Sequence, residues 1–572
     1  MKKNTALFFA LFIFTHFMAY GSSWQAVTVS DTVVNFGNVS TEQTQRYLLT
    51  LYNNEIFPVQ IIVAAFEENV FSTDLSAVEI PANSSYEFHI YFNSQQNLNY
   101  TDFLRIELNA GIHPLIIETT AQATYNDNYY DSTQNKKGGE LKSVLHDIIK
   151  GHSELDYGDL WDALRYTDED PNNTNNVLLL YSGWSYSKTN NGGNVDEWNR
   201  EHVWAKSHGD FGTRPPAGTD LHHIRPTDVS VNSKRGSLDF DDGGTLYMDG
   251  NGNTGCYYDG DSWEPRNAVK GDVARMMYYM VVRYEGEEGY DLELVDYTPS
   301  TSNNAPIFGK QSTLYQWHQN DPVDDWERRR NDRIYNSYQH NRNPFIDHPE
   351  FAERLPSLSG IPIIDEPEIA AAPSSVDMGE IGLNQTAFYY IALINTGTMD
   401  LNIRSISSTN PDFTPNVSSM TITPETFQYL QIKYAGSDNE GAYSTTIRLL
   451  SNDPDEEQID IPVQITVNGS VSIVDEETLS HKSRLEQNFP NPFNPSTTIR
   501  YIIGTNHQSP LQHVELIIYD ILGRRIQTLV NESQMPGSYK VIFDGKNLPA
   551  GIYTYKLSAG NQRQIKRMIL LK

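Results

Sequence analysis

The sequence predicts a multidomain chain in which a central α+β region lies between two copies of an all-β module and is followed by a further β-rich region. Three observations support this fold class. The chain has 572 residues, more than one compact core accommodates. Segment 34–92 matches segment 376–434 at a constant offset of 342 residues. Helical periodicity and most of the His, Trp and Arg residues lie between the two copies.

The composition limits the classes of function. Lys and Arg total 42 against 73 Asp and Glu, so the net charge is −31. Such a field repels nucleic acid and anionic membranes at long range, and a nucleic-acid function therefore needs local cations or a bound metal. Cys256 is the only cysteine, which excludes an intramolecular disulfide and metal sites built from several thiolates.

The N-terminus has the features of a secretory signal peptide. Met1, Lys2 and Lys3 precede an apolar run over 6–19 and small residues at 21–23, so we expect cleavage near residue 23. Nothing after the signal peptide approaches the roughly 18 continuous apolar residues of a membrane span. We therefore expect a secreted or cell-surface protein with no membrane span in its mature form.

The two copies of the repeat are predicted to be β-sandwiches over 24–125 and 367–468. The matching positions are Val34, Gly37, Val39, Gln43, Thr44 and Phe71 with Val376, Gly379, Ile381, Gln385, Thr386 and Phe413. Short alternating strands and about 100 residues per copy suit an immunoglobulin-like fold. The pattern resembles the immunoglobulin-like modules of bacterial surface proteins and of the Hydin-like family of cilia and centrosomes. Such modules usually act as spacers or bind partners.

The central region, 130–360, contains two predicted amphipathic helices. The first is marked by Leu141, Val144, Leu145, Ile148 and Ile149, and the second by Val273, Met276, Met277, Met280, Val281 and Tyr284. The methionine stripe is interpreted as core packing.

A polar linker over 469–487 precedes a C-terminal β region over 488–572. This region resembles the C-terminal sorting domain of type IX secretion substrates in its NFPNPFNPST opening, its YDILGRR turn and its LPAGIYTYKL strand. The resemblance implies export across an outer membrane by the type IX secretion machinery, with the domain cleaved or exchanged for a surface anchor. The alternative is a third small β-sandwich with no sorting role.

The stretch 198–240 carries the candidate chemistry. It holds four His, a carboxylate next to one of them, several Arg and Lys, and an Asn near a predicted helix start. A metal-assisted phosphodiester hydrolase uses these groups: oxygen ligands hold a hard divalent ion, an imidazole activates water, and cations stabilise the phosphate charge.

The REHVW and DLHHIRPTD…VN blocks, with DSWEPRNAVKGDVARMMYYMVVRYEG and RRRNDRIYNSYQHNRNPFIDHP, resemble the secreted bacterial endonuclease I family. These are nucleases of the ββα-metal (His-Me finger) type, and the resemblance spans roughly 135–355. It implies that Glu201 binds the metal, that His202 is the general base and that Asn232 is the second protein ligand. The implied metal is Mg²⁺, with Mn²⁺ or Ca²⁺ as alternatives.

The local pattern is consistent with this transfer. A loop rich in Gly and Pro leads into a second strand over 221–225, which we expect Pro226 to end. Thr227 or Asp228 then caps the helix that brings Asn232 beneath the hairpin.

Two other interpretations of this motif remain. A zinc site formed by His202, His222 and Asp220 is conceivable, but it leaves Glu201 and Asn232 without a function. Alternatively, the Glu-His pair is an exposed polar pair and the Asn belongs to a turn.

Further candidates for substrate contact are less specific. Arg225 on the second strand either stabilises the scissile phosphate or forms an ion pair with Asp220 or Asp228. Arg200 either contacts phosphate or is solvated. On a strand, only one of His222 and its neighbour can face the site.

A later segment combines cations with aromatic rings. Its members are Arg328, Arg329, Arg330, Arg333 and Arg342 with Trp326, Tyr335 and Tyr338. Such a segment can hold phosphates by charge and bases by stacking. Four acidic residues over 324–332 nearly cancel the charge, so a salt-bridged helix face is the alternative.

The resulting prediction is an exported, Mg²⁺-dependent endonuclease that hydrolyses phosphodiester bonds of DNA, and also of RNA, with little sequence preference. Two alternatives remain. One is a surface adhesion or binding protein whose nuclease-like domain is inactive. The other is a metal-dependent phosphodiesterase for another substrate, such as a phosphodiester lipid head group.

Overall fold

The computed structural model describes residues 27–469, except 110, 287–290 and 300–303, together with most of 483–570. The predicted signal peptide lies outside the described residues, as does most of the predicted linker.

The first β module consists of two sheets around one core. Its strands are β1 (Val27–Val29), β2 (Val33–Ser40), β3 (Gln45–Asn53), β4 (Val59–Ala65), β5 (Phe71–Thr73), β6 (Glu79–Ile80), β7 (Ser85–Phe92), β8 (Asn99–Leu108) and β9 (Leu115–Thr124). The sheet orders are β1-β3-β7-β5 and β2-β9-β8-β4-β6. Leu51 and Phe88 from one sheet meet Leu104 and Ile117 from the other in the core, as the alternating pattern predicts.

The central region carries the helices. They are α1 (Gly138–Ile149), α2 (Leu160–Thr167), α3 (Val229–Arg235), α4 (Lys270–Arg283), α5 (Gln311–Asn320), α6 (Asp325–Ser337), α7 (Pro344–Asp347) and α8 (Pro356–Ser359). The strands are β10 (Asn176–Leu178), β11 (Ser185–Ser187), β12 (Trp198–His202), β13 (Ile224–Asp228), β14 (Asp239–Phe240), β15 (Thr245–Asp249), β16 (Gly252–Tyr258), β17 (Ser262–Glu264), β18 (Glu293–Leu294) and β19 (Ile307–Phe308).

Helix α4 lies at the centre of this region. Every residue from Gly271 to Arg283 is buried, so the helix is enclosed on all sides. The predicted methionine stripe belongs to the same core as Leu141, Leu145 and Ile149 of α1. Core packing by this stripe is thereby confirmed.

One strand boundary differs from the sequence prediction. The second strand of the hairpin was expected over 221–225 with Pro226 as its end, which is wrong: β13 runs from Ile224 to Asp228, and Pro226 lies inside it opposite Arg200. In a two-stranded sheet, half of the N–H groups of each strand point away from the partner. Proline at such a position removes no hydrogen bond between the strands.

The second β module repeats the first. Its strands are β20 (Ile369–Ala372), β21 (Val376–Gly382), β22 (Ala387–Asn395), β23 (Leu401–Ile403), β24 (Ser405–Ser408), β25 (Phe413–Pro415), β26 (Met420–Ile422), β27 (Thr426–Tyr434), β28 (Gly441–Leu450) and β29 (Gln458–Asn468). The order β20-β22-β27-β25 reproduces that of the equivalent sheet in the first module, and β21-β29-β28-β24 forms the second sheet.

The two modules also share individual hydrogen bonds. The Asn53 amide donates to the carbonyl oxygens of Phe57 and Ile80, each over 2.9 Å. Asn395, 342 positions later, makes the same two bonds to the equivalent carbonyls. Both asparagines are buried. The internal repeat therefore extends to the polar contacts of the core.

The two modules contact each other although the central region separates them in sequence. Phe103 and Ile116 of the first form one buried cluster with Ala372, Ala392 and Ile394 of the second. The first module also contacts the central region, where Arg354 donates to Asn97 Oδ1 over 2.7 Å. All three units are therefore joined by specific contacts.

The C-terminal region contains two further sheets. Its strands are β30 (Arg484–Leu485), β31 (Ser496–Ile503), β32 (Gln512–Tyr519), β33 (Arg525–Gln534), β34 (Gly537–Asp544), β35 (Gly551–Ala559) and β36 (Gln562–Leu570). The orders are β30-β31-β34 and β33-β32-β35-β36. Within the described ranges of the chain, no helix has the length and apolar character needed to cross a membrane.

Candidate active site

The candidate site is built on the β12–β13 hairpin and helix α3. The strands are antiparallel, with Glu201 opposite Arg225 and His202 opposite Ile224. Helix α3 begins directly after β13, and the Asp228 carboxylate caps it by accepting from two backbone N–H groups of its first turn. Of the two caps predicted from the sequence, the structure uses Asp228.

The two faces of β12 have different neighbours. On one face, the His202 ring lies parallel to that of Tyr157, with centroids 6.0 Å apart. On the other face, the strand meets α3, where the Asn232 amide donates to Asn199 Oδ1 over 2.8 Å. Glu201 lies two residues after Asn199 and therefore on the same face. The structure thus brings Glu201 and Asn232 to one side of the hairpin.

Glu201 is a buried carboxylate with incomplete pairing. Its Oε1 accepts from the Tyr181 hydroxyl over 3.0 Å and lies 3.4 Å from Arg235 Nη1. Burial raises the pKa of Glu201 to about 7, and the opposing effects of Arg235 and Tyr181 do not cancel it. Among the residues that the structure describes, Oε2 has no hydrogen-bond partner. No sequence motif indicated Tyr181 or Arg235 as a partner of Glu201. The spacing of Arg235, one helical turn after Asn232, is the signal that could have found it.

His202 is held in one tautomer by the backbone. Its Nε2 lies 3.1 Å from the Gly218 carbonyl oxygen. A carbonyl oxygen only accepts, so Nε2 carries the hydrogen and Nδ1 of the neutral ring carries the lone pair. Burial, and secondarily the neighbouring His223, lowers the pKa of His202 well below its usual value. The neutral ring is therefore the resting form at neutral pH, with Nδ1 ready to accept a proton.

The donor set on the α3 side of the hairpin fits a hard divalent cation. Glu201 Oε2 and Asn232 Oδ1 are oxygen atoms with no hydrogen-bond partner in the described part of the chain. Oxygen ligands are those that Mg²⁺, Mn²⁺ and Ca²⁺ prefer, and Mg²⁺ commonly takes one or two protein ligands. In a separate carboxylate cluster of Glu285, Asp291 and Glu293, Lys142 forms ion pairs with Glu285 and Glu293, the latter over 2.6 Å.

Arg225 is buried rather than presented to a substrate. It is 1% exposed, and its Nε donates to Asp168 over 2.7 Å while Asp272 lies 3.6 Å away. The predicted alternative, an ion pair, is the arrangement present, but its partners are not Asp220 or Asp228. The acidic partner comes from the end of α2, which the strand pattern alone could not indicate.

The predicted arginine segment divides between core and surface. Arg330 is buried and donates to Asp168 and to the Leu221 and Ile224 carbonyls. Arg328, Arg329 and Arg333 instead line a groove of about 400 Å³ together with Tyr166, Asp325, Asp332, Asn336 and Ser337. The Arg333 guanidinium lies 4.4 Å from the Tyr166 ring centroid, an arrangement typical of cation–π contacts.

Arg200 and His222 also have different environments. The half-buried Arg200 guanidinium lies between Tyr157 and Trp161, at 3.6 and 4.0 Å from the two ring centroids. It is therefore neither freely solvated nor internal. His222 is 2% exposed and its Nε2 contacts Asn341. Burial lowers the pKa of His222 to about 4, which makes it an interior group.

Three family profiles match successive parts of the chain. The endonuclease I profile covers residues 137–350, the HYDIN/CFA65/VesB-like, Ig-like domain profile covers 367–466, and the secretion system C-terminal sorting domain profile covers 487–571. Over 230 residues the chain is 63% identical to the extracellular ribonuclease of Bacillus subtilis (strain 168) and 60% identical to that of Bacillus amyloliquefaciens. Each match covers 40% of this chain and 78% of the relative.

These matches define the class of the protein as a secreted or cell-surface nuclease with an immunoglobulin-like module and a type IX sorting domain. The chain belongs to the endonuclease I family. Among solved structures, a Porphyromonas gingivalis W83 protein of unknown function shares 9% identity, with coverage of 77% of this chain and 99% of that chain. Its TM-score is 0.16, which supports no conclusion about this chain.

Proposed function

We propose that the central region is a metal-dependent endonuclease that hydrolyses phosphodiester bonds of RNA and DNA with His202 as general base. The observation that carries this proposal is the hydrogen bond between His202 Nε2 and the Gly218 carbonyl, which leaves Nδ1 of the neutral ring as a proton acceptor. The two relatives named extracellular ribonuclease support RNA as one substrate.

In the proposed reaction, His202 Nδ1 removes a proton from water as the water oxygen attacks phosphorus in line with the leaving oxygen. The bond to the 3′ oxygen breaks, which yields a 5′-phosphate and a 3′-hydroxyl. Glu201 and Asn232 would hold a divalent ion in a unit of ββα-metal type. When bound, such an ion neutralises charge on the phosphate and stabilises the leaving oxygen. Mg²⁺ is the proposed ion, with Mn²⁺ or Ca²⁺ as alternatives.

The surroundings of the site favour low sequence preference. Arg200, stacked between Tyr157 and Trp161, offers a cationic and aromatic surface next to His202. Such surfaces contact phosphates and base faces, which all nucleotides share, rather than base edges. The proposed substrate contacts therefore tolerate any sequence.

The flanking regions have proposed roles that follow the domain boundaries expected from the sequence. We propose a signal peptide over 1–23, immunoglobulin-like modules over 24–125 and 367–468, a catalytic domain over 130–360 and a sorting domain over 488–572. The structural repeat at an offset of 342 supports extending the immunoglobulin-like assignment to the first module. Type IX secretion machinery is the proposed partner of the C-terminal domain.

The general-base role is tested with the purified mature chain, supercoiled plasmid and single-stranded RNA in Mg²⁺. We expect His202→Ala to lower the cleavage rate by at least ~10²-fold, because a general base contributes about that much or more. His340→Ala is the matched control, since His340 is an exposed histidine of the same region. Excess EDTA should abolish cleavage.

Cleavage that persists in EDTA, or equal activity of His202→Ala and the wild type, would contradict the proposal. A folded protein that binds metal but cuts neither nucleic acid would favour the adhesion alternative. Faster turnover of a small phosphodiester such as bis-p-nitrophenyl phosphate than of either polymer would favour the phosphodiesterase alternative.

The metal-ligand role is tested separately with Glu201→Gln. Loss of the carboxylate charge should raise the Mg²⁺ concentration required for half-maximal rate by about 10-fold or more, since the ion loses its charged ligand. Glu197→Gln, four residues earlier and on the surface, should leave that concentration unchanged. Identical Mg²⁺ requirements for the two variants would exclude Glu201 as a ligand.

A further inference from the structure

The short 3-10 turn Ala217–Thr219 is held by two histidines, one at the end of β12 and one directly before β13. His202 of β12 bonds the Gly218 carbonyl over 3.1 Å, and the Nε2 of His223 bonds the Ala217 carbonyl over 2.8 Å. The two rings meet edge to face, with centroids 5.5 Å apart. Two neighbouring imidazole rings thus bond two consecutive carbonyl groups of the same turn.

The position of His223 is determined by the hairpin. Its carbonyl accepts from the Val203 N–H over 3.0 Å, directly after the end of β12. The ring is 0% exposed, and its Nδ1 is buried without a hydrogen-bond partner among the described residues. Nε2 must carry the hydrogen to reach the Ala217 carbonyl, so the interaction depends on one neutral tautomer.

The residue that follows the turn is anchored independently. Asp220, 0% exposed, accepts from the hydroxyls of Tyr279 and Tyr284, each over 2.9 Å, and from the Gln339 amide over 3.0 Å. These bonds fix the C-terminal end of the turn to α4 and to the segment after α6. Within the turn, His202 and His223 supply the side-chain hydrogen bonds to the carbonyls of residues 217 and 218.

We propose that His223 is a positioning residue for catalysis: by holding the Ala217 carbonyl, it keeps the Gly218 carbonyl in the place where it fixes the His202 tautomer. This inference rests on the proposed function of His202 as general base. Without the bond from His223, the turn can rotate, the Gly218 carbonyl can leave Nε2, and the His202 ring can adopt the tautomer whose Nδ1 is protonated. That tautomer cannot accept the proton of water at Nδ1.

The test uses two substitutions of nearly equal length. His223→Met fills the site without a donor, whereas His223→Gln retains an amide N–H that can reach the Ala217 carbonyl. We expect His223→Met to lower kcat by about 10- to 100-fold, the range typical of groups that orient a catalytic ligand, with KM within about two-fold. His223→Gln should restore kcat to within a few-fold of the wild type.

A double-mutant cycle separates positioning from general damage. If His223 acts through His202, His223→Met should cause no further loss in the His202→Ala protein. An equal fold-loss in both backgrounds would overturn the inference. Failure of the proposed function looks different: His202→Ala would then be as active as the wild type.

His318 offers a matched control. It is also buried, its Nε2 contacts the Pro349 carbonyl over 3.1 Å, and its Nδ1 is likewise without a partner among the described residues. His318→Met should therefore cost similar stability but leave kcat within about two-fold. A loss of kcat in His318→Met as large as that in His223→Met would overturn the inference.

A direct measurement covers the case in which His223→Met does not fold. ¹⁵N NMR of histidine-labelled protein reports the His202 tautomer, assigned by comparison with His202→Ala. We expect Nε2–H in the wild type and in His223→Gln. A tautomer mixture in the folded His223→Gln protein together with wild-type kcat would overturn the inference.

Discussion

Arg225 Nε donates to Asp168 Oδ1 over 2.7 Å in the interior of the central region. Arg330 donates to the same carboxylate oxygen over 3.1 Å. Burial alone would raise the pKa of Asp168, but the two guanidinium groups lower it below its usual value. One carboxylate thus pairs with two cations, one from β13 and one from α6, and it joins the β12–β13 hairpin to helix α6.

Removal of that carboxylate should be strongly destabilising. Asp168→Ala leaves two buried guanidinium groups without this partner, and we expect the free energy of unfolding to fall by about 3–5 kcal/mol. Urea denaturation of the wild type and the variant measures the change. Asp162→Ala, which removes an ion pair whose carboxylate side chain is 86% exposed, should cost no more than about 1 kcal/mol. A small effect at Asp168 would show that the buried network is not needed for stability.

The surface arginines should affect substrate affinity instead. Replacing both Arg328 and Arg333 by Gln removes two cations from the groove that these residues line with Tyr166. The KM for a polynucleotide should therefore rise, and the dependence of KM on salt concentration should become weaker. Steady-state kinetics at several salt concentrations measures both. Arg330→Gln should mainly lower stability because Arg330 is buried. An unchanged KM in the double variant would remove this groove from the substrate path.

Stability should decrease in mild acid. Burial, with a further contribution from Arg275, lowers the pKa of His318 to about 4 from a usual value of 6.5. The unfolded chain therefore binds a proton at His318 more tightly than the folded protein does. The neutral His318 ring makes its full contribution to the free energy of unfolding above about pH 6.5. This contribution is lost as the pH falls towards 4.

The His318→Met protein lacks this titrating group. Both proteins should lose stability between pH 7 and pH 5, but the wild type should lose more. The difference in the free energy of unfolding should be on the order of 1–2 kcal/mol. Urea denaturation at the two pH values provides the comparison. Equal losses in both proteins would mean that His318 titrates normally in the folded state.

The contact between the two β modules should be separable from catalysis. Ala392 is 0% exposed in the shared cluster, so Ala392→Glu places a charge in an apolar interface and should separate the modules. Small-angle X-ray scattering should then show a larger maximum dimension. Phe388→Glu, on the same strand but 50% exposed, is the control. We expect kcat/KM to be unchanged in both, and a loss of activity in Ala392→Glu would show that the interface supports the nuclease region.

Much of the fold could be predicted because the sequence patterns that specify it are recognisable within short segments. Two similar segments 342 residues apart predicted the duplicated module, and the spacing of Met276 and Met280 predicted α4. The REHVW block together with the VN motif indicated Glu201, His202 and Asn232, which the structure brings to one hairpin and the helix after it. The residue that caps α3 could also be predicted to be one of two neighbours, Thr227 or Asp228, since capping depends on side chains within one turn of the helix start.

The sequence by itself determined which segments form most helices and strands and which region belongs to the endonuclease I family, because periodicity, caps and short motifs act between near neighbours. Only the tertiary structure decided which cations are buried and which carbonyl holds the His202 ring. Asp168 lies 57 residues from Arg225 and 162 from Arg330. Pairing across such distances depends on how helices and strands pack, since burial makes an unpaired charge costly whatever its place in the chain.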